Sequence, residues 1–143
     1  DRYDMVEMAI KNYPKMRVSD IEFSMPKPSY TIDSLTYLRE RYPEYTFGLI
    51  MGEDNLVSLP KWKNYKTLIK NHQIIVYPRV LTQDTDKEVI THDNICKINA
   101  PIIELSATEI RKMIREKKNV RPMLPPEVFE YIDTKGFYQN SDF

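Results

Sequence analysis

The chain has 143 residues, with 21 Lys and Arg against 21 Asp and Glu, so its formal net charge is zero. That length suits a single domain, and the balance of charge argues against a general binder of nucleic acid or of acidic surfaces, which carries a basic excess. Cys96 is the only cysteine, which rules out an intrachain disulfide or a thiolate-rich zinc site and points to a reducing cytoplasm; no apolar run reaches membrane-span length, and no signal peptide is expected.

Met5, Ala9 and Ile10, with Val6 and Tyr13, fall near helical spacing, so residues 3–13 read as a helix. "RVSDIEF" (17–23) reads as a short strand and "MPKPSY" (25–30) as a loop, because its two prolines remove donors and restrict their neighbours. Ile32, Leu35 and Leu38 recur at helical spacing, making "TIDSLTYLRER" (31–41) a second helix that stops before Pro43. "YTFGLIMG" (45–52) reads as a buried strand. Residues 53–62 form a connection with a short helix, and "YKTLIK" (65–70) makes one or two helical turns. "QIIVYPR" (73–79) is another buried strand. Residues 80–100 read mostly as loop, with a minor strand near Ile95. "PIIELS" (101–106) is the last expected strand, and a helix follows in which Ile110, Met113 and Ile114 share a face. A final helix enters at Pro125 and Pro126 and ends at Gly136, where a left-handed C-cap belongs.

Continuous apolar strands alternating with helices predict an α/β fold: a Rossmann-like, doubly wound, mostly parallel sheet with helices on both faces. Ligands of such sheets bind beyond the carboxyl ends of the strands. With glycine only at 48, 52 and 136, no GxGxxG or Walker loop exists, so a phosphate must be held by other means. Ser106 and Glu109 have the spacing of a capping box. The same helix start suits an anion, with Thr108 and Arg111 one turn apart. Gly52 permits close approach of a ligand, and Asp54 can accept hydrogen bonds from a ribose; Asp54 and Asn55 also suit a helix N-cap. Trp62 is either core or a stacking platform. Ser29 or Thr31 caps the second helix, or Thr31 and the adjacent N–H groups grip a carboxylate. Arg79 is either a solvated charge or a phosphate contact. His72 and His92 sit in no HxxH or HxGH frame, and no acid–base or nucleophilic constellation emerges.

In combination, "PSYTIDSL" (28–35), "FGLIMGEDNLVSLPKWKNYKTLI" (47–69), "IIVYPR" (74–79), "IELSATEIRKMI" (103–114) and "LPPEVFEYIDTKGFY" (124–138) resemble the bacterial nicotinate-nucleotide adenylyltransferases of the nucleotidyltransferase superfamily. The resemblance runs nearly the whole length. It implies adenylyl transfer from ATP to nicotinate mononucleotide in NAD biosynthesis, with Mg²⁺ on the phosphates. In that frame Ser106, Thr108 and Arg111 hold the ATP phosphates, and Gly52 and Asp54 contact the adenosine or nicotinate ribose. Trp62 stacks on the nicotinate ring, Thr31 reads its carboxylate, and Arg79 lies near the phosphates. Lys63 stands where some relatives have an aromatic residue. Alternatives are a related enzyme for nicotinamide mononucleotide or pantetheine phosphate, or a non-catalytic nucleotide-binding module.

The family's GxFxPxHxGH segment and its first strands are not among these residues, so the resemblance assigns no catalytic residue here. It implies a carboxyl-terminal portion of one nucleotidyltransferase domain, inactive alone and self-associating through bared strands.

Overall fold

The computed structural model describes residues 1–79 and 90–139. They fall into two compact units, one of Asp1–Asp20 with Leu105–Phe143 and one of Ile21–Glu104. Residues 80–89 of the expected loop lie outside the described residues.

The second unit holds α2 (Thr31–Arg41), β1 (Leu49–Gly52), α3 (Glu53–Ser58), α4 (Tyr65–Asn71), β2 (Ile74–Tyr77) and β3 (Ile95–Lys97). Its sheet has the order β1-β2-β3 and is parallel throughout. Gly52 registers with Tyr77, and Val76 with Lys97. This is the α/β architecture expected. Its core is aliphatic: Leu56, Leu59, Leu68 and Ile74 are fully buried, Val76 nearly so, and Ile32, Leu35, Met51 and Ile69 complete the cluster. Each such side chain contributes about 1.5–3 kcal/mol on leaving water. The helical spacing of Ile32 and Leu35 thus becomes the buried stripe of α2. His72, also buried, donates from Nδ1 to the Phe47 carbonyl at 3.1 Å, which gives it a structural role.

The first unit contains α1 (Arg2–Ile10), α5 (Ala107–Arg115) and α6 (Pro126–Lys135). Pro126 occupies the first helical position, and Gly136 closes α6 at φ 65°, the left-handed geometry expected from the sequence. Val128 and Ile132 are the buried face of α6, which packs on α1. The Tyr131 hydroxyl donates to Asp4 at 3.2 Å.

Three expectations are corrected. "RVSDIEF" is not a strand: 17–20 are irregular and Ile21–Ser24 close a 3₁₀ turn, in which the Ser24 hydroxyl donates to the Ile21 carbonyl at 2.9 Å. "PIIELS" forms no strand either; Ile102 and Ile103 are 55% and 61% exposed. A strand needs a neighbour for its backbone groups, and neither segment joins the described sheet. "YTFGLIMG" pairs only over Leu49–Gly52 and is not buried throughout. β1 is an edge strand in the described sheet, and Ile50 is 71% exposed where Met51 is 6%.

Candidate functional site

The carboxyl edge of the sheet gathers charge. β1 ends at Gly52, whose extended backbone (φ −76°, ψ 157°) forms the N-cap of α3. Asp54 therefore lies inside the first turn of α3, which excludes the reading of Asp54 or Asn55 as its cap. From the next strand Arg79 reaches across, its Nε 3.9 Å from Asp54 Oδ1. Both side chains remain largely solvated, so the pair contributes little to stability and is available to a ligand. Gly52 lies directly beneath them. A β-carbon there would overlap Asp54 Oδ1 and sit 2.7 Å from Arg79 Cδ. The three residues thus form one constellation, in which the space over Gly52 is taken by side chains of its own unit.

Two neighbours at this edge were not singled out from the sequence. Glu53 and Lys97 form an ion pair at 2.8 Å, joining the start of α3 to the end of β3. The signal was present in principle, because Lys97 closes a parallel strand. Its pairing across 44 residues was not.

The second group lies around the start of α2. Tyr30 is the N-cap and no side chain caps the helix, so Ser29 and Thr31 are not caps. The Ser29 hydroxyl is turned to Glu22 at 3.3 Å. The N–H groups of Thr31 and Ile32, at the first two helical positions, have no partner within the helix and lie at its positive dipole end. Trp62 ends the 3₁₀ turn Leu59–Lys61, its N–H donating to the Leu59 carbonyl at 2.9 Å. The indole is half-buried, packed on one side against the aliphatic core. The core reading is thus met in part, and the rest of the indole stays accessible. Lys63 then ties this connection to α2: its ammonium lies 2.8 Å from Asp33 Oδ2 and 4.6 Å from the Tyr30 ring centroid. The contact links the residue after Trp62 to the first turn of α2, which Thr31 opens, across 30 positions of chain.

In the other unit, Ser106 is the N-cap of α5 and accepts from the Glu109 N–H at 3.1 Å, one half of the expected capping box. Arg111 donates from Nη2 to Thr108 Oγ1 at 3.3 Å, and its guanidinium sits 6.0 Å from the Tyr138 ring centroid. A hydroxyl and a guanidinium thus meet at a helix start whose first N–H groups point outward, an arrangement suited to phosphate.

Among the described residues no group of three or more His, Cys, Asp or Glu side chains is placed to hold a metal, and no helix is long and apolar enough to cross a membrane.

Residues 1–113 match the family described as cytidylyltransferase-like. A protein of Flavobacterium psychrophilum, named as a probable nicotinate-nucleotide adenylyltransferase, is 51% identical over 138 residues, which are 96% of this chain and 72% of that one. A protein of the same name from Cytophaga hutchinsonii is 44% identical over 140 residues, 98% of this chain and 72% of that one. The solved structure of Plasmodium falciparum nicotinic acid mononucleotide adenylyltransferase complexed with NaAD superposes with a TM-score of 0.72 at 21% identity. It covers 96% of this chain and 72% of that one, and the likeness is one of fold.

Proposed function

Because the chain belongs to the cytidylyltransferase-like family and is half identical to nicotinate-nucleotide adenylyltransferases, we propose that it serves adenylyl transfer from ATP to nicotinate mononucleotide. In this reaction a phosphate oxygen of the mononucleotide attacks the α-phosphorus of ATP. The bond to the leaving pyrophosphate breaks, and deamido-NAD forms. The step asks a protein mainly for alignment of two phosphates and for relief of their repulsion.

Each cluster supports a share of that work. Thr31 and the first N–H groups of α2 take the nicotinate carboxylate, and the solvent-facing part of Trp62 stacks on the pyridine ring. Gly52 lets Asp54 and Arg79 lie close over the strand end, and the hydroxyls of a ribose donate to the Asp54 carboxylate. Arg79 sits close enough to Asp54 to face the attached phosphate. In the other unit Ser106, Thr108 and Arg111 receive the phosphates of ATP. The family match runs through residues of both units, which favours reading them as parts of one nucleotidyltransferase domain.

Enzymes of this kind use a divalent metal with ATP, and Mg²⁺ is the ion proposed. Mg²⁺ is commonly held by substrate phosphates with one or two carboxylates. Glu53 and Asp54 each already face a cation, so the residues present fit an ion carried on the phosphates rather than one held by the protein alone. When bound it withdraws charge from the phosphate oxygens. A single cysteine suits a reducing compartment, and the cytoplasm is where we place the reaction.

The observation that carries this reading is the Lys63–Asp33 contact, which reaches from the residue after Trp62 to the first turn of α2. Trp62 is the only tryptophan, so its fluorescence reports the site directly. Nicotinate mononucleotide is expected to quench it saturably, and ATP alone to bind through a step that Arg111→Ala weakens. Absence of any quench at millimolar mononucleotide would sink the proposal. Binding of ATP without the mononucleotide would favour a nucleotide-binding module instead.

A further inference from the structure

Lys63 follows Trp62 directly, and its ammonium lies against the start of α2, 2.8 Å from Asp33 Oδ2 and 4.6 Å from the ring centroid of the N-cap residue Tyr30. The lysine keeps 43% of its side-chain exposure and Asp33 41%, so the pair is open to solvent. An ammonium has three donors. One is spent on Asp33 and the Tyr30 face occupies one side of the group, while the exposure of the pair leaves the rest open to solvent.

Resting on the adenylyl-transfer reading, we propose that Lys63 sets the preference for nicotinate over nicotinamide mononucleotide by pairing its ammonium with the pyridine carboxylate. The two substrates differ by a carboxylate against a carboxamide, groups of almost the same shape. Packing against Trp62 therefore cannot separate them. Backbone N–H groups donate to a carboxamide oxygen as well as to a carboxylate oxygen, so the start of α2 separates them only in part. A full positive charge beside the ring favours the acid alone. Asp33 is then a positioning residue. It draws the flexible lysine stem across the connection before substrate arrives, and it shares the ammonium once the second carboxylate is in place.

The test is titration of Trp62 fluorescence with both mononucleotides in the wild-type protein, in Lys63→Gln and in Lys63→Arg, with thermal unfolding to verify that each variant is folded. The expected result for Lys63→Gln is about fivefold weaker binding of the acid, the size of a solvated ion pair, with the amide unchanged. Lys63→Arg is expected to retain the preference, since it keeps the charge. Equal weakening of acid and amide in Lys63→Gln shows a mere latch on the Trp62 connection and overturns the proposal, as does an unchanged ratio. A wild-type protein quenched by neither mononucleotide overturns the adenylyl-transfer reading itself, and the selectivity with it. Asp33→Asn supplies the second arm. Losing the positioning carboxylate is expected to weaken binding of the acid alone, and by less than Lys63→Gln because the charge itself remains, whereas a latch loses both ligands together.

Discussion

Replacing Gly52 by alanine puts a methyl group where the sheet edge has no room for one. The backbone itself accepts the change, because φ −76° and ψ 157° are ordinary for any residue. Removing glycine from the unfolded chain even stabilises by about 0.4–1 kcal/mol. Against this stands the collision: the added carbon overlaps Asp54 Oδ1 and lies 2.7 Å from Arg79 Cδ and 3.4 Å from its Cγ. All three are atoms of side chains, not of backbone, and both side chains can swing away. Doing so sacrifices the 3.9 Å contact between them, an exposed pair worth less than about 1 kcal/mol. The two contributions nearly cancel, so stability should stay within about 1 kcal/mol of wild type, a shift of a few degrees in Tm. Binding should not be spared. With Asp54 and Arg79 displaced, the two polar contacts proposed for the ligand are lost at about 1 kcal/mol each, together about thirtyfold in Kd. Differential scanning calorimetry measures the first quantity, and Trp62 fluorescence with nicotinate mononucleotide the second. Wild-type affinity in a folded Gly52→Ala protein would refute the reasoning. So would a loss of stability above about 3 kcal/mol, which would mean that backbone rather than side chains must move.

Three further outcomes are expected. Ser106→Asp keeps an N-cap acceptor and adds favourable charge at the start of α5, so stability holds while ATP binding falls at least tenfold by repulsion; calorimetric titration measures it, and unchanged ATP affinity would clear Ser106 of any phosphate role. Leu68→Ala empties a fully buried position in α4 and costs about 2–5 kcal/mol, read from the urea midpoint; a smaller change means that the core collapses to fill the space. The Glu116 carboxyl is held below its usual range, first by the hydrogen bond from Lys118 and then by its charge. The folded state therefore favours the ionised form, and the pair's contribution to stability is present at neutral pH and fades as pH falls through the lowered value. Carboxyl NMR shifts should show Glu116 titrating below an ordinary glutamate, returning to the normal range in Lys118→Met, and a normal titration in wild type would contradict the pairing.

Sequence alone determined the elements whose causes lie within a turn or two of chain. The stripe Ile32 and Leu35 in α2, the Ser106 cap with Glu109, the Pro126 entrance and the Gly136 exit of α6 are all closed by residues three or four apart, so spacing suffices to read them. Parallel pairing of the two main strands was equally legible, since helical segments separate them. The resemblance brought candidate residues with it, because the family's motifs are written as contiguous stretches. Tertiary structure decided what depends on a distant partner. Residues 17–23 and 101–106 have strand composition, yet a strand exists only where another backbone accepts its hydrogen bonds, and none lies beside them in the described sheet. The contacts of Lys63 with Asp33, Lys97 with Glu53 and Arg79 with Asp54 span 30, 44 and 25 positions. Such pairs are set by where the fold carries each element, and hydrophobic periodicity holds no record of them. Charge at the site was therefore visible in the sequence as single residues, and only the fold made it into pairs.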